Sequence, residues 1–275
     1  MEKRSLHRIP QVLKTYQNIH VFVRLMMPIL LLLSFLPLDS FAQEQSQFQA
    51  EDLVGAWTSS FTISDTTYTQ VSIVDESYVS ISVYNETEKL FFGTYGGKWE
   101  LKDGELLLTF EFHTYSPDKV GTTVSTTPRI EGEVLRFDDE KRVWERMDDG
   151  SPGDLAGAWL ITGRVRDGEL RSRQIGPRKT MKILSGTRFQ WIAYNTETKE
   201  FRGTGGGTYT TVDGKYTETI EFFSRDGSRV GAVLPFDFSL QDGAWHHEGL
   251  SSKGQPIHEV WTLRTVLDGR GGEGK

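Results

Sequence analysis

Cysteine is absent from all 275 residues, which excludes disulfides, a thiol nucleophile and any zinc site built on sulfur. Each domain must therefore hold together through its core. Helical periodicity is missing beyond the N-terminal region. The glycine-rich stretch 203–207 has no Lys-Ser or Lys-Thr after it, which argues against a phosphate loop. No Gly-x-Ser-x-Gly surrounds Ser224 or Ser251, which argues against a hydrolase triad. The long apolar run is residues 25–38, shorter than the ~20 residues a membrane helix needs. Lys3, Arg4, Arg8, Lys14 and Arg24 precede it and Ser40-Phe41-Ala42 follows. Residues 1–42 thus read as a signal peptide, with an uncleaved anchor as the alternative, and the protein is expected to be exported to the periplasm or beyond the cell. No cysteine follows for lipid attachment.

Positive charge is scarce in the first half. Residues 43–150 hold nine basic and 21 acidic residues, against 17 and 15 in residues 151–275. That balance argues against nucleic acid as a partner, because phosphate contacts need a positive surface.

What is present is a duplication. Leu53-Val-Gly55-Ala-Trp57 returns as Leu155-Ala-Gly157-Ala-Trp159, 102 positions later. Tyr84-Asn85, Gly93-Thr94, Asp103-Gly104, Glu111-Phe112 and Val120-Gly121 each return 110 positions later, and Trp144 returns as Trp261. A period this long marks a duplicated domain rather than a solenoid unit. The second copy has about eight extra residues after its first strand and about seven before its last; such insertions belong in surface loops.

Alternating runs rich in β-branched and aromatic residues fill both copies, as in Tyr78-Val-Ser-Ile-Ser-Val-Tyr84 and Arg188-Phe-Gln-Trp-Ile-Ala-Tyr194. Asp-Gly pairs at 103, 167, 213, 226 and 242 supply hairpin turns. The fold class expected is all-β: two tandem up-and-down antiparallel barrels of about eight strands, spanning 43–149 and 150–275.

Gly-x-Trp on the first strand and an Arg after the last aromatic resemble the signature of calycin-type, lipocalin-like barrels. Each copy looks like the uncharacterised lipocalin-like families of secreted bacterial proteins. The resemblance implies that Trp57 with Arg146, and Trp159 with Arg264, close one end of each barrel. Arg146 stands one residue nearer its Trp than Arg264 does, which on a strand reverses the face. The resemblance supplies a fold and no transferable chemistry.

Candidate binding residues concentrate in the second copy. Arg188, Gln190 and Tyr194 share a strand face, as do Glu221, Phe223 and Arg225, while Tyr209 lies between them in sequence. His246 and Glu248 also share a face, with His247 opposite and His258 nearby, a set that raises metal ligation or acid–base chemistry beside the plainer reading of solvated side chains. Arg188 and Arg225 could grip a carboxylate or phosphate, helped by the basic run Arg164, Arg166, Arg171, Arg173, Arg178, Lys179 and Lys182. The expected function is non-enzymatic binding of a small apolar or amphipathic, optionally anionic, ligand in the second barrel, with no cofactor. The rivals are a surface-interaction module with packed barrels, and a barrel enzyme using His246, Glu248 or Glu221.

Overall fold

The computed structural model describes residues 48–138, 141–251 and 254–269. The expected signal segment lies outside them. Among the described residues no helix is long and apolar enough to cross a membrane.

The first sheet contains β1 Gly55–Ile63, β2 Thr66–Val74, β3 Tyr78–Asn85, β4 Leu90–Lys102, β5 Glu105–His113, β6 Thr123–Thr126, β7 Pro128–Glu131, β8 Val134–Phe137 and β9 Val143–Asp148. The second contains β10 Gly157–Arg166, β11 Glu169–Ser172, β12 Arg178–Leu184, β13 Arg188–Asn195, β14 Phe201–Val212, β15 Lys215–Phe223, β16 Val233–Gln241, β17 Ala244–Leu250 and β18 Pro256–Leu263, followed by α1 Arg264–Leu267. All pairings are antiparallel between sequence neighbours, apart from the closing contacts β1–β9 and β10–β18 and the β10–β12 pairing that bypasses β11. The second barrel closes completely. The first is nearly closed, its one gap falling at Thr127, where the chain passes from β6 to β7. The extra residues after the first strand of the second copy make the β10–β11 hairpin, outside the barrel ring, and those before its last strand lengthen the β17–β18 hairpin.

Four of the five Asp-Gly pairs turn hairpins with both residues at positive φ, as in Asp103 (52°) and Gly104 (81°). Asp226-Gly227 departs from that expectation. The Asp226 carboxylate accepts from Ser228 N at 3.0 Å and caps a 3-10 turn, Gly227–Arg229. The central glycines have a steric cause. A Cβ at Gly97 or Gly207 would lie 2.0 Å from the carbonyl oxygen of Thr109 or Thr219, at matching register shifts that bend β4 and β14.

The barrels pack side by side through the outer faces of their strands. Val71, Ile73, Tyr78, Tyr84 and Phe112 of the first meet Ala158, Met181, Ile192, Tyr194 and Phe222 of the second in one buried cluster. The contact is nearly two-fold symmetric in chemistry. Tyr84 donates to Glu221 at 2.6 Å and its repeat equivalent Tyr194 donates to Glu111 at 2.5 Å. Tyr84 stacks on Phe222 at 4.7 Å, and Tyr194 leans on Phe112 at 5.1 Å. Each carboxylate also meets a guanidinium: Arg188 binds Glu221, and Arg264 binds Glu111 at 2.6 and 2.9 Å. Both arginines come from the second barrel. The connection is pinned as well, since Asp148 accepts from Ser185 Oγ (2.8 Å), Gly186 N (3.1 Å) and Thr187 Oγ1 (2.5 Å).

Candidate functional site

The interior of the second barrel is filled by side chains. Lys182 Nζ lies 2.8 Å from Glu218, and Tyr216 donates to the same carboxylate oxygen at 2.9 Å. The ammonium sits 4.9 Å from the Tyr216 ring, 5.0 Å from Trp245 and 5.4 Å from Trp261, so aromatic faces replace the water it has lost. His247 packs against Phe236 with centroids 4.1 Å apart. Burial, reinforced by Lys182, pushes the His247 pKa down to about 4, so this imidazole is neutral near pH 7.

The first barrel differs at the same points of its scaffold. The matching strand registers pair Trp57 with Ser72 and Trp159 with Lys182, Leu106 with Thr126 and Tyr216 with Phe236, Leu135 with Trp144 and Trp245 with Trp261. Lys182, Tyr216, Phe236 and Trp245 are thus replaced by Ser72, Leu106, Thr126 and Leu135, all smaller. Leu108 and Phe137 stand for Glu218 and His247, which removes the buried polar groups. The result is an apolar cavity of about 380 Å³ lined by these six residues together with Val74, Val79, Ile81, Trp99, Phe110 and Trp144.

The two ends of this cavity are unlike. Near the start of β1 the Arg146 guanidinium lies 4.0 Å over the Trp57 ring and donates to the carbonyls of Val54 (3.1 Å) and Asp52 (2.7 Å). Where β5 runs out, His113 and Lys119 line the cavity and the His113 ring stacks on Tyr95 at 5.2 Å. Burial and then Lys119 lower the His113 pKa, so its ring is neutral near pH 7. His113 Nδ1 accepts from Ser116 N at 3.1 Å, which leaves the proton on Nε2. An imidazole donor and an ammonium therefore mark the polar end. Beside it a surface aromatic cluster joins half-buried Tyr68 to exposed Phe92 (4.7 Å) and Phe92 to exposed Tyr115 (5.6 Å), with half-buried Phe61 stacked on Tyr68.

The residues singled out in the second copy are dispersed over four environments. Arg188, Gln190, Tyr194 and Glu221 lie between the barrels; Gln190 donates to Thr94 (2.9 Å) and Thr204 (3.0 Å). Their shared strand face is the outer one, buried by the neighbouring barrel. Tyr209 belongs to the core and donates to Ser185 O at 2.5 Å, and Phe223 packs on Trp191 inside. Phe223 does not share a face with Glu221 as expected, because the register shift between β14 and β15 at Gly206/Gly207 leaves Glu221 bulged and reverses the alternation after it. Arg225 is exposed and donates to Arg202 O at 2.9 Å. His246 contacts His258 at 3.0 Å, and His258 lies 3.4 Å from Glu248, on the outer face of β17 with His247 inside. The acid–base set His246, Glu248 and Glu221 is therefore not brought together. Among the described residues no group of three or more His, Asp or Glu is placed to hold a metal.

Arg264 also departs from the arrangement implied by the resemblance. It lies 3.6 Å over Tyr78 of the first barrel rather than over Trp159. The cause is spacing. Arg146 is two residues from Trp144 on β9 and shares its inward parity, whereas Arg264, three residues from Trp261, lies past the end of β18 as the first residue of α1 and turns toward the first barrel. Trp159 is instead held by its indole N–H on Leu155 O at 2.9 Å, as Trp57 is on Leu53 O.

A search among curated proteins finds no match for this chain. Residues 154–265 match a family described as a domain of unknown function (DUF4488), so the second barrel is similar to that family.

Proposed function

We propose that the protein is an exported, non-enzymatic binding protein of two lipocalin-like barrels, and that it holds a small amphipathic ligand inside the first barrel. The observation that carries this reading is the loss of bulk at Ser72, Leu106, Thr126 and Leu135, positions that the second barrel fills with Lys182, Tyr216, Phe236 and Trp245. The same scaffold can thus be sealed, and the first copy is not. A volume near 380 Å³ falls at the small end of ligand cavities. The apolar lining suits an aliphatic or aromatic body, and His113 with Lys119 suits a hydrogen-bond-accepting or anionic end. The expected site therefore moves from the second barrel to the first.

The test is native mass spectrometry of the full chain from its own host, with titration of a naphthalene sulfonate dye followed by fluorescence. The double variant Thr126→Phe/Leu135→Trp restores the second barrel's residues and should abolish saturable dye binding while leaving the fold intact. Undiminished binding in that variant overturns the proposal. The aromatic cluster in which Phe92 and Tyr115 are exposed, backed by half-buried Phe61 and Tyr68, favours a second reading, a surface-interaction module. Replacing Phe92 and Tyr115 by Ser would then remove partner capture and spare dye binding.

A further inference from the structure

On the outside of the second barrel an open cleft of about 320 Å³ is lined by Arg178, Lys179, Arg202 and Arg225, with Glu200 as its one carboxylate. Arg225 is fixed in place. Its guanidinium donates twice to Arg202 O, once at 2.9 Å, and rests on Gly203, where a Cβ would lie 2.7 Å from Arg225 Nε. The first barrel reports what the scaffold itself requires here. Its equivalents, 110 positions earlier, are Tyr68, Phe92 and Tyr115, and Tyr115 rests on Gly93 as Arg225 rests on Gly203. One seat accepts either an aromatic ring or a guanidinium. The fold therefore does not need three arginines at these places, yet they converge despite mutual repulsion.

Glu200 offsets a single charge, since it accepts from Arg202 at 2.8 Å. More positive charge adjoins the cleft: Arg173 donates to Arg178 O at 3.4 Å, and Arg164 and Arg171 lie on the β10–β11 hairpin. Arg164 is partnered by Glu259 at 2.8 Å and Arg171 by Asp167 at 3.7 Å, whereas the Arg173 pKa is lowered by burial first and then by the neighbouring Arg178 and Arg164.

We infer that this cleft is a phosphate-binding site, taking either free phosphate or the phosphate of a lipid headgroup. A fork of planar guanidiniums matches tetrahedral oxyanions, and a fixed guanidinium loses little freedom on binding. The site is separate from the cavity of the first barrel, so either can fail without the other.

Titration calorimetry of the full chain with inorganic phosphate at low ionic strength, together with flotation on phosphatidylcholine vesicles with and without phosphatidylglycerol, tests the inference. Saturable binding in at least one arm is expected; phosphate alone assigns the free ion, and anionic vesicles alone assign the headgroup. Arg178→Tyr/Arg202→Phe/Arg225→Tyr installs the first barrel's residues and should weaken binding at least about tenfold, as loss of charge-assisted hydrogen bonds predicts. Arg178→Gln/Arg225→Gln serves the same purpose with less change in shape. Glu200→Gln, which frees Arg202, should tighten binding severalfold, a gain that a purely structural cluster would not give. No saturable binding in either arm, or binding that survives both arginine variants, overturns the inference.

Discussion

Removing the charge from Glu111 tests the account of how the barrels hold each other. Its carboxylate accepts from Arg264 Nη1 (2.6 Å) and Nη2 (2.9 Å) and from Tyr194 (2.5 Å), and the Arg264 side chain is only 5% exposed. In Glu111→Gln the guanidinium stays buried with its countercharge gone, which in comparable pairs costs about 3–5 kcal/mol. For a cooperative unit of this size each kcal/mol lowers Tm by about 2–4 °C, so a drop on the order of 10 °C is expected by calorimetry. The acid dependence follows. Burial raises the Glu111 pKa, but the hydrogen bonds and charge of Arg264, with Tyr194, outweigh burial and hold it below the ordinary value. A depressed carboxylate stabilises above its unfolded pKa, and that contribution disappears as pH falls through the folded value, so wild type should lose stability below about pH 4 more steeply than Glu111→Gln. Combining Glu111→Leu with Arg264→Met removes both charges and should recover most of the loss. A Glu111→Gln variant within about 1 kcal/mol of wild type, or a double variant as unstable as the single, refutes the reasoning.

His247 makes a second pH prediction with the sign of a buried base. Between its unfolded value of about 6.5 and its folded value of about 4, the unfolded chain takes up a proton that the barrel refuses, so stability falls as pH drops through that window. The loss is about 2 kcal/mol at pH 5, and His247→Phe, the residue of the first barrel, should abolish it in urea titrations at pH 7 and 5. Gly207→Ala drives a Cβ into the Thr219 carbonyl and should cost upwards of about 2 kcal/mol, read from the urea midpoint; Gly214→Ala meets nothing within 4 Å but sits at φ 73°, and should cost less. Lys182→Met with Glu218 kept leaves a lone buried carboxylate and should destabilise by about 3–5 kcal/mol, whereas Lys182→Met/Glu218→Leu should fold near wild-type stability.

The repeat, the barrel class, the hairpin turns and the alternation of faces were legible in sequence because each depends on local chemistry. Period-two alternation put Arg188, Gln190 and Tyr194 together, and Glu218 opposite Glu221, but it failed at Phe223, where a bulge at Glu221 reverses the faces. It could not say which face was inside, since the outer face of β13 is buried too, against a neighbour that no local pattern announces. Polar residues on a buried outer face therefore resembled a binding site. The cavity escaped notice for a related reason. Ser72, Leu106, Thr126 and Leu135 are unremarkable alone and carry meaning only against Lys182, Tyr216, Phe236 and Trp245. Aligning the copies residue by residue and comparing side-chain size, rather than searching for reactive groups, would have found it.

Both guanidiniums of the buried contact belong to the second barrel, and this makes the contact a sorting rule during folding. Two first barrels meeting face to face would bury two Glu111 carboxylates and no cation. Two second barrels would bury Arg188 and Arg264 twice over against only two Glu221 carboxylates. Of these ion-pairing groups, only unlike halves set each carboxylate against a guanidinium, and uncompensated buried charge costs several kcal/mol. Duplicated domains risk misassembly with their own kind on neighbouring chains. Here like halves repel and unlike halves lock, so a newly made chain is steered to fold onto itself.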